Sequence, residues 1–308
     1  MNGTIWKLAA KKPVLQRRQS ILEAVRRFFI DRDFLAVETP NRVPAPAPET
    51  HIDIFPCRGW FLHPSPEICM KRLLAAGYEK VFQICKCYRE GERGTRHLTE
   101  FTLLEWYRAG ADYTMLMTDC EELFLETARS LNSARNLVYQ GHEVDLSPPW
   151  ERLTVEEAFR RHAAVSAEEA LSGDRFEEIL VDRIEPHLGF GKPTFLCDYP
   201  LPLASLARTK RDHPSVAERF ELYLFGMELA NGFSELTDAD EQRYRFQRAI
   251  DERSRWGKPA LPLPEPFLED LTRMPESAGI ALGLDRLVMV LTDSSKIDQV
   301  VAFTPEML

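Results

Sequence analysis

The chain has 308 residues, 44% hydrophobic and 28% charged, with a formal net charge of −9 and a pI near 5.4. That length supports one large domain or two modest ones with a substantial core, and the composition excludes a disordered chain. The acidity argues against a broad basic surface for nucleic acid. The opening MNGTIWKLAAKKP lacks the apolar core of a signal peptide, and no apolar run reaches the ~20 residues that span a bilayer, so a cytoplasmic protein without membrane association is expected. Six cysteines, at 57, 69, 85, 87, 120 and 197, show neither a C-x-x-C pair nor zinc-type Cys/His spacing, and read as reduced thiols.

Over residues 14–32, Leu15, Ile21, Leu22, Val25, Phe28 and Phe29 recur at helical spacing with Arg17, Arg18, Arg26 and Arg27 opposite. This predicts an amphipathic helix laid on a sheet, its basic face solvated. FLAVETP reads as a short strand ending at Pro40, and Pro44, Pro46 and Pro48 impose an extended loop. Ser65-Pro66-Glu67 predicts a helix start with serine as the cap and proline in the first turn. Glu67 there either favours the helix dipole or receives an amino group.

Residues 82–107 read as two antiparallel strands joined by a loop carrying Arg89, Glu90, Glu92, Arg93, Arg96 and His97. Guanidinium groups make charge-assisted, often bidentate bonds to phosphoryl oxygens, so this loop reads either as a phosphate clamp or as a solvated hairpin tip. Cys85 and Cys87 share one face of the first strand and are expected to pack as small apolar groups.

A helix is predicted over 113–131. Residues 132–213 are less regular: a capped helix in LTVEEAFRRHA, another in DRFEEILVDRIEPHLGF and a strand in TFLCDYP together read as an insertion packed on the core. In residues 216–238, Glu221, Glu228 and Glu235 fall seven apart, with bends expected at Gly226 and Asn231-Gly232. Carboxylates among Phe220, Leu222, Tyr223, Leu224, Phe225 and Leu229 require a cation: magnesium with nucleotide, a substrate ammonium, or an internal arginine or lysine. In SAGIALGLDRLVMVLTD, Gly279 and Gly283 permit close backbone approach in a short strand. Asp285-Arg286 then opens a helix whose start suits a phosphate, or places an arginine against a carboxylate.

Ser65-Pro66-Glu67, the hairpin with Tyr88-Arg89, Arg96-His97, Glu100-Phe101-Thr102 and Glu105-Trp106-Tyr107, then FELYLFGMELANGFSELTD and GIALGLDRL, stand in the order found in class II lysyl-tRNA synthetases. The chain resembles that family from its first helix to its C-terminus. The resemblance implies an α+β fold, the class II synthetase catalytic core: a mainly antiparallel sheet of about six strands flanked by helices. It would be a single domain over 1–308 with a helical insertion at about 132–213. The first helix, short strand and Pro40 resemble the family's dimer-building motif and imply a homodimer. Only about a dozen residues precede the first helix, where the family carries an anticodon-binding domain. The expectation is therefore one of the stand-alone paralogues that attach (R)-β-lysine, or lysine, to elongation factor P, without anticodon-domain recognition of tRNA.

The resemblance implies an ATP- and Mg2+-dependent ligase that forms an aminoacyl-adenylate and passes the acyl group to a protein lysine. Arg89 would bind the α-phosphate and substrate carboxylate, Arg286 the γ-phosphate, and Glu221 and Glu228 the magnesium. Glu90, Gly91, Glu92, His97 and Leu98 of the hairpin loop, with Glu228, Leu229 and Gly283, would line the nucleotide site. Ser65, Pro66 and Glu67 would lie in the substrate site, Glu67 meeting the amino group near the carboxylate, and Glu105, Tyr107 and Glu235 would surround the distal ammonium. Ala281 stands where lysyl-tRNA synthetases have glycine and would reshape the pocket in favour of β-lysine. Gly91 replaces a glutamate and Leu98-Thr99 an Asn-Pro of the family pattern. The competing expectations are transfer to tRNA or a small amine, and a non-catalytic paralogue that binds ATP or an amino acid.

Overall fold

The computed structural model describes residues 3–131 and 135–308, so the expected start of the insertion at 132 lies outside the described residues. Its strands are β1 (Leu35–Ala36), β2 (Arg42–Val43), β3 (Pro56–Cys57), β4 (Trp60–Leu62), β5 (Lys80–Tyr88), β6 (Glu100–Ala109) and β7 (Asn136–Tyr139). There follow β8 (His142–Asp145), β9 (Glu151–Thr154), β10 (Thr194–Pro200), β11 (Thr209–Lys210), β12 (His213–Leu224), β13 (Met227–Ser234) and β14 (Ser277–Gly283). The helices are α1 (Gly3–Ile30), α2 (Glu67–Ala75), α3 (Tyr113–Ser130), α4 (Val155–Ala163), α5 (Ala167–Ser172), α6 (Phe176–Ile179), α7 (Ala239–Arg255), α8 (Glu265–Leu271) and α9 (Leu284–Thr292).

The principal sheet runs β1-β5-β6-β14-β13-β12-β10-β9, with β11 added on β12. The six strands from β5 to β10 pair antiparallel throughout, and the flanking β1–β5 and β10–β9 pairs are parallel. This is the expected α+β architecture, with its antiparallel centre.

One sheet face is closed by α1, α3 and α9. Phe29 of α1 stacks on Phe82 at 4.9 Å and meets Phe34 and Trp106 at 5.1 Å each. Each such buried ring is worth about 1.5–3 kcal/mol relative to exposure. The other face carries two separate clusters: α2, α7 and α8 around Met70, Phe246 and Phe267, and α4 to α6 around Phe159, Phe176 and Tyr199. The sheet between them stays uncovered and forms the floor of a cleft. A buried ion pair ties its rim: Asp285 at the start of α9 meets Arg18 of α1 at 2.6 Å and accepts the Thr102 N–H of β6 at 2.7 Å.

Several expectations shift. The first helix begins at Gly3 and carries Pro13 within it. Residues 132–213 are no purely helical insertion: β9, β10 and β11 belong to the principal sheet, and only α4 to α6 form a helical layer, α4 being capped reciprocally by Thr154 and Glu157. Asn231-Gly232 is not a turn but lies within β13; the chain reverses at Phe225-Gly226, where φ is +52° and +64°. Pro66 rather than Ser65 occupies the position before the first helical residue of α2, although Ser65 Oγ still accepts the Glu67 N–H at 3.0 Å.

Candidate active site

The cleft holds a cavity of about 960 Å³, in the range of small-molecule sites. Pleating decides what points into it. β13, β14 and β6 set Asn231, Ala281 and Glu105 side by side in one row, and Phe233, Gly279 and Tyr107 in the next. Gly279 is required by this second row, because a Cβ there would lie 2.2 Å from the Tyr107 ring and 2.5 Å from Glu235 Oε1.

One end of the cavity is acidic and buried. Glu105 and Glu235 are fully buried, with Glu67 beside them. Ser65 Oγ donates to Glu105 Oε1 at 2.6 Å and Tyr107 OH donates to Oε2 at 2.8 Å. Lys71 Nζ, from the second turn of α2, lies 2.5 Å from both Glu67 Oε1 and Glu235 Oε2. Burial, reinforced by Glu67, pushes Glu105 up to about 8. Burial also pushes Glu235 up to about 8, against the pull of Lys71. For Lys71 itself burial opposes the charge, yet Glu235 and Glu67 prevail and raise its pKa. Two carboxylates thus share one ammonium while the third, Glu105, is held by hydroxyls, and among the described residues Oε1 of Glu235 has no hydrogen-bond partner.

The other end is basic. Arg89 follows β5, its N–H bonded to Thr99 O at 2.9 Å and its guanidinium 5.1 Å from the Phe101 ring. Arg286 in the first turn of α9 donates to Glu228 O at 2.7 Å and to His97 Nε2 at 2.6 Å. Partial burial and the guanidiniums of Arg286, Arg89 and Arg96 hold the His97 pKa below its ordinary value, consistent with a neutral ring accepting that bond. Arg96 is spent on the far hairpin, donating to Gly226 O at 3.0 Å.

Glu221 and Glu228 differ in availability. Glu221 Oε1 meets Arg219 at 2.6 Å, and its Oε2 accepts from Tyr199 OH at 2.6 Å and Tyr223 OH at 2.7 Å, so the internal arginine weighed from the sequence is present. Among the described residues, the Glu228 carboxylate is engaged only by Arg286, at 3.4 Å. A bulge brings Glu228 to the cleft: Tyr223 pairs with Glu228 and Leu222 with Ala230, leaving Leu229 as the extra residue that resets the phase between Glu228 and Glu235.

Of the residues singled out from the sequence, Ser65, Glu67, Arg89, Glu92, His97, Leu98, Glu105, Tyr107, Glu221, Glu228, Leu229, Ala281, Gly283 and Arg286 line this one cavity, and Glu235 lies directly behind Gly279. Pro66, Glu90 and Gly91 are not brought to it; Glu90 is turned outward with its N–H on Asp53 O. Sequence reasoning missed Lys71, Glu49, Arg219, Tyr199 and Asn231. Lys71 reads as an ordinary helix lysine, and Glu49 sits in the proline-rich loop yet is pushed up to about 7 by burial and Glu67. The cysteine reading also changes: Cys85 and Cys87 do not merely pack but face His63, the sulfurs 3.8 Å apart.

An α+β fold with an antiparallel floor, and a cleft with an arginine-lined end and a carboxylate-lined end, is the architecture of a class II synthetase core. The family described as tRNA synthetases class II (D, K and N) matches residues 7–307, and the chain belongs to it. Among individual proteins, it is 40% identical over 326 residues to the elongation factor P (R)-β-lysine ligase of Pectobacterium carotovorum, covering 98% of both chains. It is 39% identical to the ligase of the same name from Pectobacterium atrosepticum, over 98% of both chains, and 38% identical to that of Salmonella gallinarum, over 97% of both.

Proposed function

We propose that this chain activates a lysine isomer, (R)-β-lysine by preference, as its adenylate and transfers the acyl group to a lysine ε-amine of elongation factor P. The observation that carries this reading is the charge count of the buried pocket. Glu67, Glu105 and Glu235 against Lys71 carry two net negative charges once an ammonium substrate displaces the protons of Glu105 and Glu235, the number of ammonium groups on a lysine isomer. A neutral analogue would leave those carboxylates unpaired, which is costly.

In the first step a carboxylate oxygen of the amino acid bonds to the α-phosphorus of ATP and pyrophosphate leaves. Arg89, at the junction of the two ends, stabilises charge growing at phosphorus, and Arg286 holds the outer phosphate. In the second step the acceptor nitrogen bonds to the acyl carbon, AMP leaves and the nitrogen loses a proton. Magnesium, when bound, neutralises phosphate charge. Glu228 has a free oxygen for it, whereas Glu221 would have to release a tyrosine hydroxyl. The exposed Ile30 and Leu35 at the end of α1 and on β1 suit a homodimer contact.

The test is the intact mass of elongation factor P after incubation with this protein, ATP, magnesium and (R)-β-lysine. A gain of one lysyl unit, lost in Arg286→Ala, supports the reading. An unchanged acceptor beside active pyrophosphate exchange moves the activity to another acceptor, and inactivity in both assays points to a binding protein.

A further inference from the structure

We propose that His63, Cys85 and Cys87 form a binding site for a zinc ion, separate from the magnesium and nucleotide positions. Cys85 and Cys87 alternate on the same face of β5, and His63 comes from the segment between β4 and α2. One ligand atom from each of the three lies within 4.8 Å of the others. Two thiolates at ~2.3 Å from a tetrahedral zinc ion stand about 3.8 Å apart. The two sulfurs here are 3.8 Å apart before any ion is considered.

The histidine supplies the independent observation. Its ring is 1% exposed, and Nε2 lies 2.8 Å from the Lys86 carbonyl oxygen, so Nε2 carries the hydrogen. That leaves Nδ1 with a lone pair, buried and, among the described residues, without a hydrogen-bond partner. Donating one ring nitrogen to a backbone carbonyl while the other faces outward with its lone pair is how proteins orient a metal-ligating histidine. The segment is docked firmly: the Tyr88 N–H bonds to His63 O at 3.1 Å and the His63 N–H to Asn41 O at 2.9 Å.

Charge favours the same ligand. As the two Zn–S bonds form, each thiol gives its proton to solvent, and two thiolates neutralise a divalent cation, so the loaded cluster is neutral in a largely buried place. A carboxylate-free donor set of two sulfurs and one imidazole selects zinc over magnesium or calcium. Water completes the fourth position. The consequence is mechanical: the ion would fasten β5 to the stretch that carries Ser65 and Glu67, two residues and four residues beyond His63, and so brace the amine pocket through the Ser65–Glu105 bond.

The experiment uses the whole protein, reduced and stripped with a chelator, then titrated with zinc against a chromophoric chelator and separately with cobalt(II). One zinc per chain, a thiolate-to-cobalt charge-transfer band with the intense visible bands of a tetrahedral site, and a zinc-dependent rise in melting temperature are expected. Cys85→Ser, Cys87→Ser and His63→Gln should each weaken binding at least tenfold, whereas Cys57→Ser should not. Substoichiometric zinc, a cobalt spectrum without thiolate bands, or binding undiminished in both serine variants overturns the proposal. So does oxidation of Cys85 and Cys87 to a disulfide that zinc does not prevent. The wild-type cobalt spectrum decides the matter even where a variant fails to fold.

Discussion

Lys71 Nζ lies 2.5 Å from Glu235 Oε2, and both groups are almost wholly withdrawn from solvent. An ion pair of this kind cannot be broken from one side at low cost, because the remaining charge stays buried. Lys71→Met is therefore expected to lower stability by about 3–5 kcal/mol. The double variant Lys71→Met/Glu235→Gln should recover part of that loss. Urea midpoints of the two variants and the wild type check this; equal losses in single and double variants would show that the two groups are not coupled.

The acidic pocket also sets a pH dependence. Glu105 and Glu235 have folded pKa values of about 8, above the ~4.3 of an unfolded glutamate. Their protonated forms are thus favoured by folding, so without substrate the protein should lose stability as pH rises from ~4.3 to about 8. An ammonium substrate reverses the preference, so its binding at pH 7 should release protons and its affinity should climb up to about pH 8. Calorimetry in buffers of different ionisation enthalpy measures the release, and Glu105→Gln should reduce it. Binding with no proton exchange in the wild type would mean that both carboxylates are already ionised.

Much of this site was legible before the fold was seen. Two apolar runs around a charged loop marked the β5–β6 hairpin, and Gly279, Gly283 and Arg286 marked β14 and α9, because apolar runs, glycine and helix starts are local properties. What was hidden depends on partners brought together by the sheet. Nothing around Lys71 distinguishes it from a solvated helix lysine, and Arg219 and Tyr199 reach Glu221 only because β10 and β12 are neighbours. The reading of Asn231-Gly232 as a bend followed its composition. Tertiary pairing on both sides of β13 overrode it, and the phase change expected there occurs at Leu229 instead.

Gly279 leaves no room for a side chain. Its α-hydrogen side faces the Tyr107 ring and Glu235 Oε1 at distances no methyl group can share. Gly279→Ala should cost about 1–3 kcal/mol by overpacking and raise KM for the amino acid more than for ATP. Pyrophosphate exchange at varied concentrations of each separates the two; equal changes in both constants would indicate general unfolding.

Ala281 lies one row away, beside Glu105, and adds a methyl group to the floor. Ala281→Gly is expected to shift the ratio of activation rates for (R)-β-lysine and α-lysine by about tenfold toward α-lysine, the scale of one methyl group in a shaped pocket. Parallel exchange assays with the two isomers report the ratio, and an unchanged ratio would remove Ala281 from specificity.

The buried pair of Arg18 and Asp285 joins residues near opposite ends of the described chain, one position from Arg286, the arginine proposed to hold the outer phosphate. During synthesis the N-terminal helix must therefore wait for α9 to emerge from the ribosome before the rim can close. The acidic pocket, complete except for β14, would be laid down earlier. A nascent chain halted before residue 285 could collect much of its core yet would lack Arg286, so under the proposed function the outer phosphate would go unheld until α9 is made.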